Sequence, residues 1–154
     1  RGPLVSEGYW KRPEETEFLF RHGWLHTGDL ARMDYDGFIF IVDRSKDMII
    51  SGGFNVYPRE VEDVLTQHTA VMSAAVIGVP DPKWGEAVKA LVVIRAASSV
   101  TEEKLIHWVK VKKGPVYAPK SVEIVDSLPV TGLGKPDKKA IRSKYWSLAG
   151  RQVG

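Results

Sequence analysis

The apolar residues of this chain repeat at two different spacings, and the spacing predicts which segment forms which element. In "PREVEDVLTQH" (58–68), Val61, Val64 and Leu65 recur on one helical face, and Pro58 sits where a first helical turn tolerates proline. In "TEEKLIHWVKVK" (101–112), Leu105, Trp108 and Val109 share a face. Thr101 is placed to cap that helix and Gly114-Pro115 to stop it. By contrast, "VMSAAVIGVP" (71–80) and "AVKALVVIR" (87–95) are β-branched runs of strand length, separated by the polar "DPKWGE". "SVEIVDSLPV" (121–130) reads as a third strand, and "MIISGGFNVYP" (48–58) as a strand running into a glycine loop. Pro136 is expected to open a last helix with Ala140, Ile141 and Tyr145 on its apolar side. From residue 46 onward the pattern is that of a small α+β domain.

The first 43 residues are patterned differently. "RPEETEFLF" (12–20) starts as a helix, with Pro13 in its first turn and acids following. "GWLHTGDLARMDYDGFIFIVD" (23–43) alternates turn signals at Thr27-Gly28-Asp29 and Asp36-Gly37 with short apolar strands, a hairpin or meander pattern. This stretch reads as a separate piece that packs on something outside itself. The start at Arg1, in the polar "RGPLVSEGYWKRPEET", reads as a cut inside a longer protein.

Composition narrows the chemistry. With 154 residues and no cysteine, the chain has no disulfide framework and no thiolate metal site. His22, His26, His68 and His107 lack paired ligand spacing, so no metal site is expected. No apolar run approaches the roughly 20 residues of a membrane helix, and no signal peptide is visible. The net charge of +3 hides an asymmetry: residues 1–103 carry 11 Lys and Arg against 16 Asp and Glu, whereas residues 104–144 carry 10 against 3. A basic end attracts polyanions or is a solvated face. Nucleic acid is the weaker reading, because the cations are not interleaved with aromatic stacking platforms.

Lys135, in "SLPVTGLGKPDKKAIR" (127–142), is the cation that needs an explanation. A Walker phosphate loop requires a glycine where Pro129 stands and a hydroxyl where Pro136 stands, so this is not one. What remains is a lysine on a glycine hinge before a basic helix: a charge able to reach into a distant pocket, or a solvated charge after a turn. Asp29 in "TGD" either ends a strand or holds a ribose diol as a carboxylate acceptor. Gly52-Gly53, within "DRSKDMIISGGFNVYPREVE" (43–62), either supplies loop freedom or lets a ligand approach the backbone after a hinge.

Five segments occur together in order: "GYWKRPEET", "GWLHTGDL", "DGFIFIVDRSKDMIISGGFNVYPREVE", "VIGVPDPKWGEAVKA" and "LPVTGLGKPDKKAIR". In this combination, over residues 8 to 146, the chain resembles the C-terminal part of the adenylate-forming superfamily. Its members include acyl-CoA and aryl-CoA synthetases, luciferases and peptide-synthetase adenylation domains. "SGGFNVYPREVE" with "DPKWGE" is closer to the CoA ligases.

The resemblance implies a tail of a large N-terminal body over 1–43, a C-terminal lid domain over 44–146 and a tail over 147–154. The lid would hold a central, mostly antiparallel sheet flanked by helices. It implies a ligase of fatty-acid type metabolism, cytoplasmic, that uses ATP with Mg2+ to make an acyl-adenylate and then CoA to make a thioester. By the same resemblance Lys135 is the adenylation lysine. Asp29, with Thr27, binds the AMP ribose, and Arg44 assists at the ribose or phosphates. Lys46 is the hinge about which the lid turns. Gly52 and Gly53 line the CoA tunnel, with Trp84, Lys120, Lys112 and Lys113 as contacts for the CoA nucleotide and phosphates; a tryptophan that covers the sheet is the alternative for Trp84. The partners implied are the N-terminal domain of the same chain and a carboxylic acid, with no nucleic acid and no membrane span. The acyl pocket and the main phosphate loop lie outside these residues, so the 154 residues alone are expected to be inactive. The alternative readings are an adenylation domain that loads a carrier protein and, from another class, a basic nucleic-acid-binding module.

Overall fold

The structure is a computed structural model that describes residues 1–147; within the expected tail over 147–154, residues 148–154 lie outside the described residues. The chain divides into two compact units, Arg1–Lys46 and Asp47–Gly154.

The first unit holds helix α1 (Pro13–Leu19), a single 3-10 turn at Arg21–Gly23, and a hairpin of β1 (Asp29–Met33) and β2 (Ile39–Arg44). Pro13 stands in the first turn of α1 as the sequence predicts, followed by Glu14 and Glu15. The hairpin turn is built by Asp34, whose Oδ1 accepts hydrogen bonds from the backbone N–H of Asp36 and Phe38. Gly37 adopts φ +86 there, a left-handed conformation that favours glycine. The two strands pair antiparallel, with a register shift between Leu30 and Ala31. Trp10, Phe18, Trp24, Phe38, Phe40 and Ile41 are all exposed, and no apolar residue of this unit is buried. The unit therefore has secondary structure without a core of its own.

The second unit has the core. Its sheet runs β4 (Phe54–Val56), β3 (Ile49–Ser51), β6 (Gly85–Ile94), β5 (Val71–Asp81), and β7 (Ser121–Ile124) joins β6. All pairings are antiparallel except β6–β7, which is parallel. The architecture is thus the α+β, mostly antiparallel sheet that the sequence implied.

The near-continuous apolar runs of β5 and β6 arise because both faces of these strands are covered. Ala74, Val76, Val88, Ala90 and Val92 point toward helices α2 (Pro58–Thr66) and α3 (Glu102–Lys113), where they meet Val61, Val64, Leu65, Leu105 and Val109. The alternate positions Ala75, Ile77 and Leu91 point the other way, onto Ile141 of helix α4 (Lys138–Trp146). Trp108 ties α3 to α2 by donating its indole N–H to the Val64 carbonyl at 2.8 Å. Thr101 caps α3, and Gly114 ends it at φ +89. Among the described residues no helix is long and apolar enough to cross a membrane.

Three elements differ from the sequence reading. The strand expected over 121–130 spans only Ser121–Ile124. The glycine loop after Ser51 turns back into a second short strand, β4, so the segment is a hairpin. Pro136 does not open α4. It lies in an isolated antiparallel bridge with Val130, and Asp137 caps the helix by accepting the Ala140 N–H at 3.0 Å. An aspartate carboxylate satisfies a free helical donor, which proline cannot do, so the helix starts after Asp137 instead.

Candidate functional site

In the first unit the hairpin register sets Asp29 opposite Arg44. Three local interactions close that end. The Thr27 hydroxyl accepts the Asp29 N–H at 3.1 Å, the Gly28 carbonyl accepts the Ser45 N–H at 2.8 Å, and the Asp43 carboxylate accepts the Arg44 N–H at 2.7 Å. Gly28 takes φ +75, which the turn from Thr27 into the strand requires. The Arg44 Nε stands 3.6 Å from an Asp29 carboxylate oxygen. That separation is loose for an ion pair, and the pair is open to solvent, so it adds little stability. The carboxylate keeps lone pairs to accept from a diol, with a guanidinium beside it. Thr27, Asp29 and Arg44 thus converge although Arg44 is distant in sequence. Lys46 lies in the short 3-10 turn Ser45–Asp47, at the point where the first unit ends.

In the second unit a different group gathers at the β3–β4 turn. Gly52 and Gly53 have φ +58 and +84, the doubly left-handed geometry that suits a two-residue hairpin. The Gly52 N–H donates to the Trp84 carbonyl at 2.9 Å. A Cβ at Gly52 would stand 2.6 Å from Trp84 Cε3, whereas a Cβ at Gly53 would meet nothing within 4 Å. Gly52 is therefore the seat of the Trp84 ring, and Gly53 is the open member of the pair. Trp84 keeps 37% of its surface exposed. The Lys120 ammonium lies 5.0 Å and the Lys83 ammonium 4.9 Å from its ring centroid. Asp81 fixes the turn beneath, accepting the N–H of Lys83 and of Trp84 at 2.8 Å each. Trp84 is thus a partly exposed indole held in cation–π contact by two ammonium groups.

Lys83 escaped the sequence reading, although its place beside Trp84 was the available signal. Lys112 and Lys113 sit elsewhere, on α3. Lys112 lies over Trp108, and Lys113 pairs with Glu60 at 3.4 Å and lies over Tyr117.

Lys135 is presented by a closed turn. The Thr131 N–H donates to the Lys135 carbonyl at 2.7 Å, and the Gly134 N–H donates to the Thr131 carbonyl at 2.8 Å. Gly134 takes φ +76 to allow this. The Asp137 N–H then donates to the Pro129 carbonyl, which closes the base. Lys135 is exposed. Among the described residues no carboxylate pairs with its ammonium, whereas Lys138 is engaged with Glu62 at 2.9 Å and Arg142 with Asp47 at 3.3 Å. Among the described residues no group of three or more His, Asp and Glu could hold a metal ion.

Residues 60–135 match the family model for the AMP-binding enzyme C-terminal domain. The chain is 58% identical to the medium/long-chain-fatty-acid–CoA ligase FadD8 of Mycobacterium tuberculosis, over 99% of the chain and 28% of that protein. It is 49% identical to a feruloyl-CoA synthase of an Amycolatopsis species, over 94% of the chain and 29% of that protein. Among solved structures, ATP-bound MatB from Rhodopseudomonas palustris superposes with a TM-score of 0.86 at 39% identity, covering 96% of this chain and 30% of that one. The chain spans less than a third of the length of the relatives it matches.

Proposed function

The chain belongs to the AMP-binding enzyme C-terminal domain family, within the adenylate-forming enzymes, and from that membership we propose that it is the C-terminal end of an ATP-dependent carboxylic acid:CoA ligase. In the first step a substrate carboxylate oxygen bonds to the α-phosphorus of ATP and pyrophosphate leaves. In the second, the CoA sulfur bonds to the acyl carbon and AMP leaves.

Lys135 neutralises charge developing on the phosphate oxygens in the first step. Such transfers depend mainly on positioning and on electrostatic stabilisation, for which an ammonium is a compact point charge. Asp29, set by Thr27, accepts from the AMP ribose hydroxyls, and Arg44 reaches the ribose or phosphates. Lys46 is the pivot at which the second unit turns between the steps. In the second step Gly53 gives the pantetheine arm room, and Trp84 with Lys120 and Lys83 meets the CoA nucleotide. Magnesium would accompany ATP and supply neutralisation of its phosphate charge. The remainder of the catalytic body and the acyl pocket belong to the rest of the parent protein, whose acid is an aliphatic or aryl carboxylate by the names of the relatives.

One observation carries this reading. Unlike Lys138 and Arg142, which are tied to carboxylates, Lys135 is held out on a closed turn with no pairing carboxylate among the described residues. The nucleic-acid reading leaves the Asp29–Arg44 pair and the Gly52-Gly53 turn without a use, and the relatives are named as CoA enzymes. Carrier-protein loading is also less favoured, since the relatives are named for CoA.

The test is product analysis of the parent protein with ATP, CoA and a panel of medium-chain, long-chain and cinnamic-type acids. AMP and acyl-CoA formed together, in equal amounts, are expected. AMP formation with transfer only to a carrier protein, or no acid-dependent AMP at all, would overturn the proposal.

A further inference from the structure

Helix α4 and the Lys135 turn form one body. The Asp137 N–H reaches back to Pro129, the Ile141 N–H reaches Asp137, and the Asp137 side chain caps the helix. Among the described residues, four polar side chains tie this body to the remainder of the second unit. Lys138 pairs with Glu62, which also accepts the Val76 N–H at 2.7 Å on the outer edge of β5. The Tyr145 hydroxyl donates to Glu123 at 2.7 Å, and the Trp146 indole N–H donates to the Gly78 carbonyl at 3.0 Å. The fourth tie differs in its destination. Arg142 reaches across 95 residues of sequence to Asp47, with a guanidinium nitrogen 3.3 Å from a carboxylate oxygen.

Asp47 is the first residue of the second unit and directly follows Lys46. Both partners of the Arg142–Asp47 pair are largely shielded, with side-chain exposures of 14% and 16%. A shielded pair is screened less by solvent and salt than one at the surface, and breaking it leaves a partly buried charge without that partner. The other three ties end on α2, β5 and β7, within the body of the unit.

We propose that Arg142 is a positioning residue for Lys135: by holding Asp47, it fixes α4 and the Thr131–Lys135 turn to the residue next to the pivot. This rests on the reading of Lys135 as the adenylation lysine and Lys46 as the hinge. Rotation at Lys46 then delivers Lys135 to one place. Without the pair, residues at the start of the unit yield independently of α4, and the ammonium arrives spread over several positions. A displacement of about an ångström at a reacting group costs on the order of a hundredfold in rate.

The experiment uses the parent protein with Arg142→Gln, Arg142→Lys and Asp47→Asn beside Lys135→Ala. Acid-dependent ATP–pyrophosphate exchange reads the first step, and thioester formation from preformed acyl-adenylate and CoA reads the second. Arg142→Gln and Asp47→Asn are expected to slow exchange about tenfold to a hundredfold and to leave the second step within about twofold, a difference too small to count as a lost interaction. Arg142→Lys, which keeps a cation within reach of Asp47, recovers most of the loss.

Equal slowing of both steps by Arg142→Gln would make the pair a structural tie only and overturn the proposal. So would unchanged exchange in a variant set where Lys135→Ala abolishes it. If Lys135→Ala itself leaves exchange intact, the underlying reading of Lys135 fails, and the positioning role falls with it. Should Arg142→Gln fail to fold, Asp47→Asn, which changes charge without changing shape, distinguishes the same outcomes.

Discussion

Substituting the two glycines of the β3–β4 turn one at a time separates backbone strain from the seating of Trp84. Both Gly52→Ala and Gly53→Ala place a Cβ on left-handed backbone, which costs about 1–2 kcal/mol. Only Gly52→Ala also drives that carbon to 2.6 Å from Trp84 Cε3 and 3.0 Å from Cζ3, roughly an ångström inside ordinary carbon contact. The ring is partly exposed and free to swing outward, so the clash is relieved by losing its place between Lys83 and Lys120. Each of those ammonium–ring contacts is worth about 0.5–1 kcal/mol at an exposed site.

Gly52→Ala is therefore expected to destabilise the chain by about 2–4 kcal/mol and Gly53→Ala by about 1–2 kcal/mol, measured by urea unfolding. In the parent protein, the displaced indole raises the KM for CoA in the thioester step about tenfold, which matches a loss near 1.4 kcal/mol. A Trp84→Ala background completes the cycle: there Gly52→Ala costs no more than Gly53→Ala. Equal costs in the native background, or a surplus for Gly52→Ala that survives without Trp84, would refute the claim that Gly52 exists to seat the ring.

Other perturbations bear on the scaffold beneath the site. The hydrogen bond from Tyr145 and the ammonium of Lys89 hold the Glu123 carboxyl below its ordinary value of 4.5, while burial and the bond to Glu123 push Tyr145 up to about 12. The depressed carboxyl contributes stability that is present above pH 4.5 and lost as pH falls through its folded value; the raised phenol contributes stability that is present below pH 10 and lost as pH rises toward about 12. Tyr145→Phe should thus lower stability by about 1 kcal/mol near neutral pH and flatten the pH dependence of urea unfolding above pH 10; an unchanged alkaline limb would contradict this. Leu65→Ala removes a fully buried side chain from the α2–α3 face of the sheet and should cost about 2–5 kcal/mol, whereas a cost below about 1 kcal/mol, the range of a tolerated volume-conserving swap, would mean that this face is not close-packed.

What the sequence disclosed, and what it withheld, follows from the range of the interactions. Helices α2 and α3 are legible because their apolar spacing, Pro58, Thr101 and Gly114 are local signals, and β5 and β6 because strands covered on both faces are apolar throughout. Strand β4 is not legible, because three residues after a double glycine carry no period. The start of α4 is misplaced at Pro136 in the sequence reading, because the bridge of Pro136 to Val130, which moves the start past Asp137, has no local signature. At the candidate site, Thr27, Asp29, Arg44 and Lys135 can be named from their motifs, but not the register that sets Asp29 opposite Arg44. Neither the ring of Trp84 resting on Gly52 nor the reach of Arg142 to Asp47 has a local signature, since both depend on the sheet being assembled.

The role of Lys135 is tested most directly by comparing the parent protein with its Lys135→Ala variant in the two half-reactions. Acid-dependent ATP–pyrophosphate exchange is expected to fall by at least about a hundredfold, the scale of losing one electrostatic contact to a transition state, while thioester formation from preformed acyl-adenylate and CoA persists. Exchange that persists in the variant, or a loss shared equally by both steps, would contradict that role and leave Lys135 as a solvated charge on a closed turn.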